Sequence, residues 1–336
     1  MEIDMLLSRI EGSTIFITGA TGLIGKNLIK TILSYNNTAS NPIKIVALVR
    51  DKSKAEIMFS DFDTDCILYE IGDISECKPI NMNIDYIIHG ASQTTSKAFV
   101  DYPVETINTA IDGTKNMLEL ARINNVKSFV YLSSMEVYGT PQTDEKIDET
   151  HSTNLNFMNP RSCYPVSKIM CESLCSSYSS EYGVPAKVVR LTQTFGLGVQ
   201  YNDTRVFAQF ARCAVEGRDI ILQTKGDTKR CYLYTEDAVA AIMTVLINGT
   251  NGEAYNAANE DTYCSIYEMA ELVANECSDK PVKVLVELAE NAGSLGYAPT
   301  LKMNLDTRKL KSLGWYPKTS LKEMYLMMIT EMKQFN

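Results

Sequence analysis

A doubly wound parallel α/β sheet followed by a smaller, mixed α/β region is the fold this 336-residue sequence predicts, on three observations. A short apolar run, Ile15-Phe16-Ile17, passes directly into Gly19-Ala20-Thr21-Gly22-Leu23-Ile24-Gly25, after which Leu28, Ile29 and Ile32 fall at helical spacing. Short apolar strands alternate with helical segments as far as residue 191. The fifth of those strands ends in the hydroxyls Ser133 and Ser134, at the carboxyl end where open parallel sheets bind ligands.

In chain order, residues 1–12 read as a short leader. The first strand, the glycine turn and the helix then form the opening βα unit of a dinucleotide fold. Glycines there permit a tight turn and a close approach of backbone to a pyrophosphate at the positive end of the helix. The alternative for so short a motif is a purely structural turn. Residues 43–49 read as the second strand, 67–71 as the third, and 85–92 as the fourth with its exit loop. A helix is expected over 104–123, the fifth strand over 128–134, and a polar, irregular stretch over 140–159. A helix over 164–182 closes at Gly183, and 187–191 is the sixth strand. The division expected is a dinucleotide-binding region over 1–191 and a substrate region over 192–336, with some crossing of the chain between them. Helical patterning recurs at 236–246 and 265–276, and no internal repeat is visible.

Bulk properties exclude several classes. At 45 % hydrophobic and 22 % charged residues the chain is an ordinary soluble globular protein, long enough to bury a core. A net charge of −9 with no basic run argues against nucleic acid as a partner, although local arginines can still hold an anionic small molecule. No apolar run reaches membrane-spanning length and no signal-like leader precedes the first strand. Nine irregularly spaced cysteines suggest reduced thiols and a cytoplasmic location. With two histidines in all, His89 and His151, no metal site is expected.

Tyr164 and Lys168, spaced i, i+4, share a helix face. An ammonium beside a phenol favours phenolate, as does the positive nicotinamide ring of an oxidised dinucleotide. Such a phenolate can take a proton from a sugar hydroxyl while hydride leaves for the nicotinamide, and Ser134 can hydrogen-bond the same oxygen. The alternative is that Tyr164 and Lys168 are a surface pair.

The order Thr18-Gly-Ala-Thr-Gly-Leu-Ile-Gly25, Gly72-Asp-Ile74, Ser133-Ser-Met-Glu-Val-Tyr-Gly139 and Tyr164-Pro-Val-Ser-Lys168 resembles the extended short-chain dehydrogenase/reductases acting on nucleotide sugars. The resemblance runs to Asp306-Thr-Arg-Lys-Leu-Lys-Ser-Leu-Gly-Trp-Tyr-Pro317 near the C-terminus. It implies a Rossmann domain, a sugar-nucleotide region, a tightly held NAD or NADP and often a homodimer. By the same resemblance Gly19, Thr21, Gly22, Leu23, Ile24 and Gly25 would hold the dinucleotide with Tyr164 and Lys168. Asp73 and Ile74 would touch the adenine, and Ala91 would line the cleft.

Glu136 stands where the 4,6-dehydratases and UDP-glucuronate decarboxylases of that family carry a glutamate, a second acid/base group that elimination needs. The alternative is a solvated loop carboxylate. Asn159-Pro-Arg-Ser-Cys-Tyr164, Thr194-Phe-Gly196, Asn202-Asp-Thr-Arg205 and Lys229-Arg-Cys-Tyr232 further resemble the decarboxylases. Arg205 and Arg230 are the expected substrate anchors, with Ser133 and Gln193 beside them. Met135 departs from the pattern, standing where the dehydratases have an acidic aspartate and the decarboxylases a serine; a thioether donates no proton. Gln193 and Ala110 also depart, each standing where asparagine is usual. Arg50 follows the second strand where an acidic residue would select NAD, and it favours the 2′-phosphate of NADP, yet Asp51 beside it could still reach the ribose, and the resemblance to the decarboxylases and most dehydratases implies NAD. The reading is a lyase working through transient oxidation at C4. The alternatives are a 4-epimerase, an NADPH-consuming reductase and a non-catalytic dinucleotide sensor.

Overall fold

Strands covered by helices on both faces should be apolar throughout, and the central strands of this protein are. In the computed structural model, which describes residues 2–77, 82–288 and 300–334, β1 (Thr14–Thr18) buries four of its five residues and β2 (Lys44–Val49) five of six. β3 (Ile67–Ile71), β4 (Tyr86–His89), β5 (Ser128–Ser134) and β6 (Ala186–Leu191) follow. The helices of this half are α1 (Ile3–Leu7), α2 (Leu23–Asn36), α3 (Lys52–Met58), α4 (Ser96–Asp101), α5 (Pro103–Asn124) and α6 (Cys163–Tyr182).

The second half contributes β7 (Gln193–Phe195), β8 (Ile220–Leu222), β9 (Lys229–Tyr234), β10 (Ala254–Ala257), β11 (Asn259–Ser265), β12 (Val284–Val286) and β13 (Lys302–Met303). Its helices are α7 (Val206–Glu216), α8 (Thr235–Asn248), α9 (Ile266–Leu272), α10 (Arg308–Lys311) and α11 (Leu321–Lys333).

The main sheet is parallel with seven strands in the order β10-β6-β5-β4-β1-β2-β3. Alternation along β1 sends Ile15 and Ile17 into the core shared with α2 and α8, and Phe16 to the opposite core with α5 and α6. The strand order reverses between β1 and β4, and the crevice beyond their carboxyl ends is the ligand position of such sheets. Both β10 and α8 lie beyond residue 191, yet β10 pairs with β6 and α8 packs on the first layer.

The second layer is a mixed sheet centred on β9, which pairs with β7, β11 and β13, and it packs with α7, α9 and α11 around a separate core. Its largest aromatic cluster is Phe195, which stacks on Phe207 at 4.6 Å and meets Tyr232 and Tyr325.

The N-terminal segment departs from the expected leader. It forms α1 and a 3₁₀ turn, Ser8–Ile10, and buries Leu6, Leu7 and Ile10 in the first core. One helical turn carries too few residues for its period to show in the sequence. All nine cysteines are unbridged, and among the described residues no helix is long and apolar enough to cross a membrane.

Candidate active site

The turn between β1 and α2 is shaped by backbone contact. Gly19 has φ +70°, and a Cβ there would lie 2.8 Å from the Gly90 carbonyl. A Cβ on Gly25 would lie 2.2 Å from the Gly19 oxygen, so strand and helix approach only because both residues are glycine. Gly22 donates its amide to Gly19 at 3.0 Å and occupies the N-cap of α2 without a side-chain cap. The first-turn amides at Leu23, Ile24 and Gly25 are therefore not capped by a side chain, as an anion site at a helix start requires. Thr21, half-buried, completes the turn.

Beneath it the Thr18 hydroxyl accepts from the Gly90 and Ala91 amides at 3.1 and 3.0 Å and lies 2.7 Å from His89 Nδ1. With both amides donating, the Thr18 proton goes to Nδ1, which leaves Nε2–H for Thr114 at 3.2 Å. Burial, aided by the Lys168 charge, pushes the His89 imidazole down to about 3, in keeping with this neutral tautomer. The β4 exit at Ala91 is thus clamped to β1.

On the far side, Asp73 accepts from the Ser75 hydroxyl and amide, bonds that with the nearby Arg50 hold its carboxyl below the usual range. Ile74 is buried against Gly113, and its carbonyl accepts from Asn116. Arg50 is exposed just beyond β2, whereas Asp51 caps α3 by accepting the Lys54 amide at 3.0 Å. These residues fit a dinucleotide: an uncapped helix start behind a side-chain-free turn, with polar groups at the ends of β2 and β3.

Ser134, Tyr164 and Lys168 converge from β5 and α6. The Lys168 ammonium donates to Leu132 O at 2.7 Å and lies 4.6 Å from the Tyr131 ring centroid and 5.8 Å from that of Tyr164. Full burial brings it down to about 8. The expected lowering of the Tyr164 phenol is not what its protein surroundings give. Burial and the Glu136 charge push the phenol up, and a hydrogen bond with Ser134 and the Arg161 charge only partly oppose them. Lys168 is turned to the backbone of β5, and desolvation wins.

Glu136 lies in a 3₁₀ turn, Met135–Tyr138, whose N-cap is Ser134, accepting the Glu136 amide at 3.2 Å. Both its oxygens face Arg161, at 2.9 and 3.4 Å. The Arg161 guanidinium lies 5.0 Å over the Phe99 ring, and Phe99 stacks on Tyr164 at 4.4 Å and 12°. Cys163 donates to the Phe99 carbonyl, tying α4 to the start of α6. In the sequence Arg161 stands only as part of the Asn159–Tyr164 stretch, with no role of its own, and Phe99 carries no signal. Met135 is buried, its sulfur accepting from Thr192 at 3.3 Å.

The expected substrate side chains divide. Ser133 points away from Ser134, donating to Glu172 at 2.6 Å, and Glu172 in turn holds Arg190 beside Tyr138 and Asn256. That is a buried structural network, and Ser133 is occupied in it. Gln193 opens β7 and pairs with Tyr232 of β9. Arg205 is held by both oxygens of Asp203 and lies 4.8 Å over Phe207. Arg230 differs: its Nε is buried with no hydrogen-bond partner among the described residues. Among those residues no group of three or more histidine, cysteine or acidic side chains is placed to hold a metal.

Known proteins resemble this chain in sequence and in fold. The chain is 26 % identical over 319 residues to UDP-glucuronic acid decarboxylase 1 of Danio rerio, covering 94 % of this chain and 72 % of that one. Its fold matches the UDP-glucose 4-epimerase of Thermotoga maritima with a TM-score of 0.80 at 21 % identity, over 96 % and 99 % of the two chains. It also matches a dTDP-glucose 4,6-dehydratase of Streptomyces venezuelae, solved with NAD, with a TM-score of 0.76 at 20 % identity over 96 % and 97 %. The model of the NAD dependent epimerase/dehydratase family matches residues 15–258, from β1 to just past β10, and this chain belongs to that family.

Proposed function

We propose that this chain is a nucleotide-sugar lyase of the decarboxylase type, acting on a nucleotide uronate through transient oxidation at C4. The observation that carries the reading is Glu136 set beside Tyr164, with Met135 next to it buried and unable to give a proton. Loss of water from a hexose needs an acid for the leaving hydroxyl. A 4-keto uronate instead loses carbon dioxide with its electrons taken up by the ketone, and needs only a proton at C5 afterwards. The relatives at 26–28 % identity are named as UDP-glucuronic acid decarboxylases, which supports the same choice.

A bound dinucleotide would supply reversible acceptance of hydride. Tyr164 is protonated at rest and acts as base only as phenolate: once nearby positive charge offsets its burial it gives its own proton to solvent, then takes the C4 hydroxyl proton and returns that proton to the C4 oxygen at the end. Ser134 steadies that oxygen. Lys168, anchored on Leu132, holds positive charge beneath the phenol. Glu136, after taking up a proton from solvent, gives it to C5. Arg230 is read as the diphosphate anchor because its buried Nε awaits an acceptor. Arg50, with Asp51 diverted to capping, favours NADP over NAD.

The test is a mass spectrum of products from a panel of nucleotide uronates and hexoses, using chain stripped of nucleotide and reloaded with NAD or NADP. Release of carbon dioxide from a uronate is expected, faster with NADP. Loss of water from a hexose, or isomerisation without mass change, would overturn the decarboxylase reading, and equal rates would remove the role given to Arg50.

A further inference from the structure

Glu136 is assigned proton transfer, yet both its oxygens are taken by Arg161. The pair is open to a ligand, with side-chain exposures of 27 % for Arg161 and 33 % for Glu136. Phe99 supports one face of the guanidinium and leaves its donor edge free to exchange carboxylates. The Phe99–Tyr164 stack also fixes that edge relative to the phenol.

We propose that Arg161 is the specificity-determining receptor for a carboxylate on the sugar, and that taking up this carboxylate releases Glu136 for its work. The inference rests on the decarboxylase reading and adds the residue that recognises the acid. One carboxylate replaces another on a planar fork already held in place, so the exchange keeps a charge-assisted, two-point contact. A neutral hexose has nothing to offer in exchange, and Glu136 stays locked to Arg161. The ion pair thereby acts as a filter: only an acidic sugar frees the proton donor that follows loss of carbon dioxide.

Calorimetric binding of UDP-glucuronate and UDP-glucose to the full chain tests this. Arg161→Gln should weaken UDP-glucuronate by roughly 10–100-fold, the range of a lost charged hydrogen-bonding contact, while UDP-glucose stays within about twofold. Glu136→Gln should tighten UDP-glucuronate several-fold, because Arg161 no longer has a competing carboxylate. A merely structural ion pair would not produce that gain. Equal weakening of both nucleotides by Arg161→Gln, or weaker UDP-glucuronate binding in Glu136→Gln, would overturn the proposal. If the unmodified chain still releases carbon dioxide from UDP-glucuronate in that event, only the role of Arg161 falls. If it releases none, the decarboxylase reading falls and this inference with it.

Discussion

The glycine turn and the cluster around Tyr164 lie at the carboxyl edge of one sheet, but they are made from different materials. At the turn nearly everything is backbone: glycines without side chains, a helix start without a cap, and Thr18 clamping two amides. Around Tyr164 nearly everything is side chain, brought from α4, β5, its following turn and the start of α6. The first half is fixed by backbone contacts and leaves only the helix-start amides uncapped by a side chain. The second carries an exchangeable ion pair and, at β9, a buried guanidinium nitrogen without a partner among the described residues. Rigid backbone shapes the first site, and side chains able to change partners shape the second.

Substitutions should separate the two halves. The largest effect is expected from Gly25→Ala, whose Cβ would meet backbone atoms of Gly19 and Ala20 that cannot swing aside. Overpacking of this kind costs about 1–3 kcal/mol, and the opened turn should no longer retain dinucleotide through purification. Retention unchanged beside an intact melting point would break the contrast. Arg230→Met should behave in the opposite way. The melting temperature without ligand should hold or rise, since a buried Nε with no hydrogen-bond partner among the described residues is removed, while nucleotide-sugar affinity falls roughly 10–100-fold. A drop in melting temperature with unaltered affinity would make Arg230 a structural residue.

A smaller effect lies away from both halves, at Lys187. This buried ammonium donates to Ser128 at 2.7 Å, and burial brings it down to about 8 from 10.5. Between those values the unfolded chain binds more protons than the folded one, so this residue makes stability rise with pH across that window. Lys187→Met should flatten the rise seen in denaturation midpoints between about pH 8 and 10.5, leaving the share due to Lys168. An unchanged slope would show that Lys187 keeps its charge in the folded chain.

Legibility followed the same division of materials. Strand, glycines and helix are contiguous, and Tyr164 and Lys168 are one helical turn apart, so local spacing was enough to place each on its element. The pairing of Glu136 with Arg161 spans 25 residues of irregular chain and has no period to follow. Phe99 reaches Tyr164 from a different helix. Ser133 and Ser134 could be told apart in the sequence, because neighbouring residues on a strand point to opposite faces, and Ser133 is the one turned to Glu172. The direction of the Tyr164 shift also lay beyond the sequence, since burial decides it and burial belongs to the tertiary structure. The C-terminal Trp315, seen only as part of a resemblance, donates to the Asp237 carbonyl and docks the last segment onto α8.

The late arrival of α8 and β10 has a consequence for synthesis on the ribosome. Leu6 and Leu7 belong to the core that α8 covers, and α8 begins at Thr235, more than two-thirds of the way along the chain. A nascent chain that has made β1 to β6 therefore still exposes leucines at its beginning and an open sheet edge at β6, which β10 has yet to pair. Sealing both depends on contacts between residues far apart in sequence, the slow and aggregation-exposed class of folding event. The translating cell must shelter the first half of this protein until the second half returns to close it.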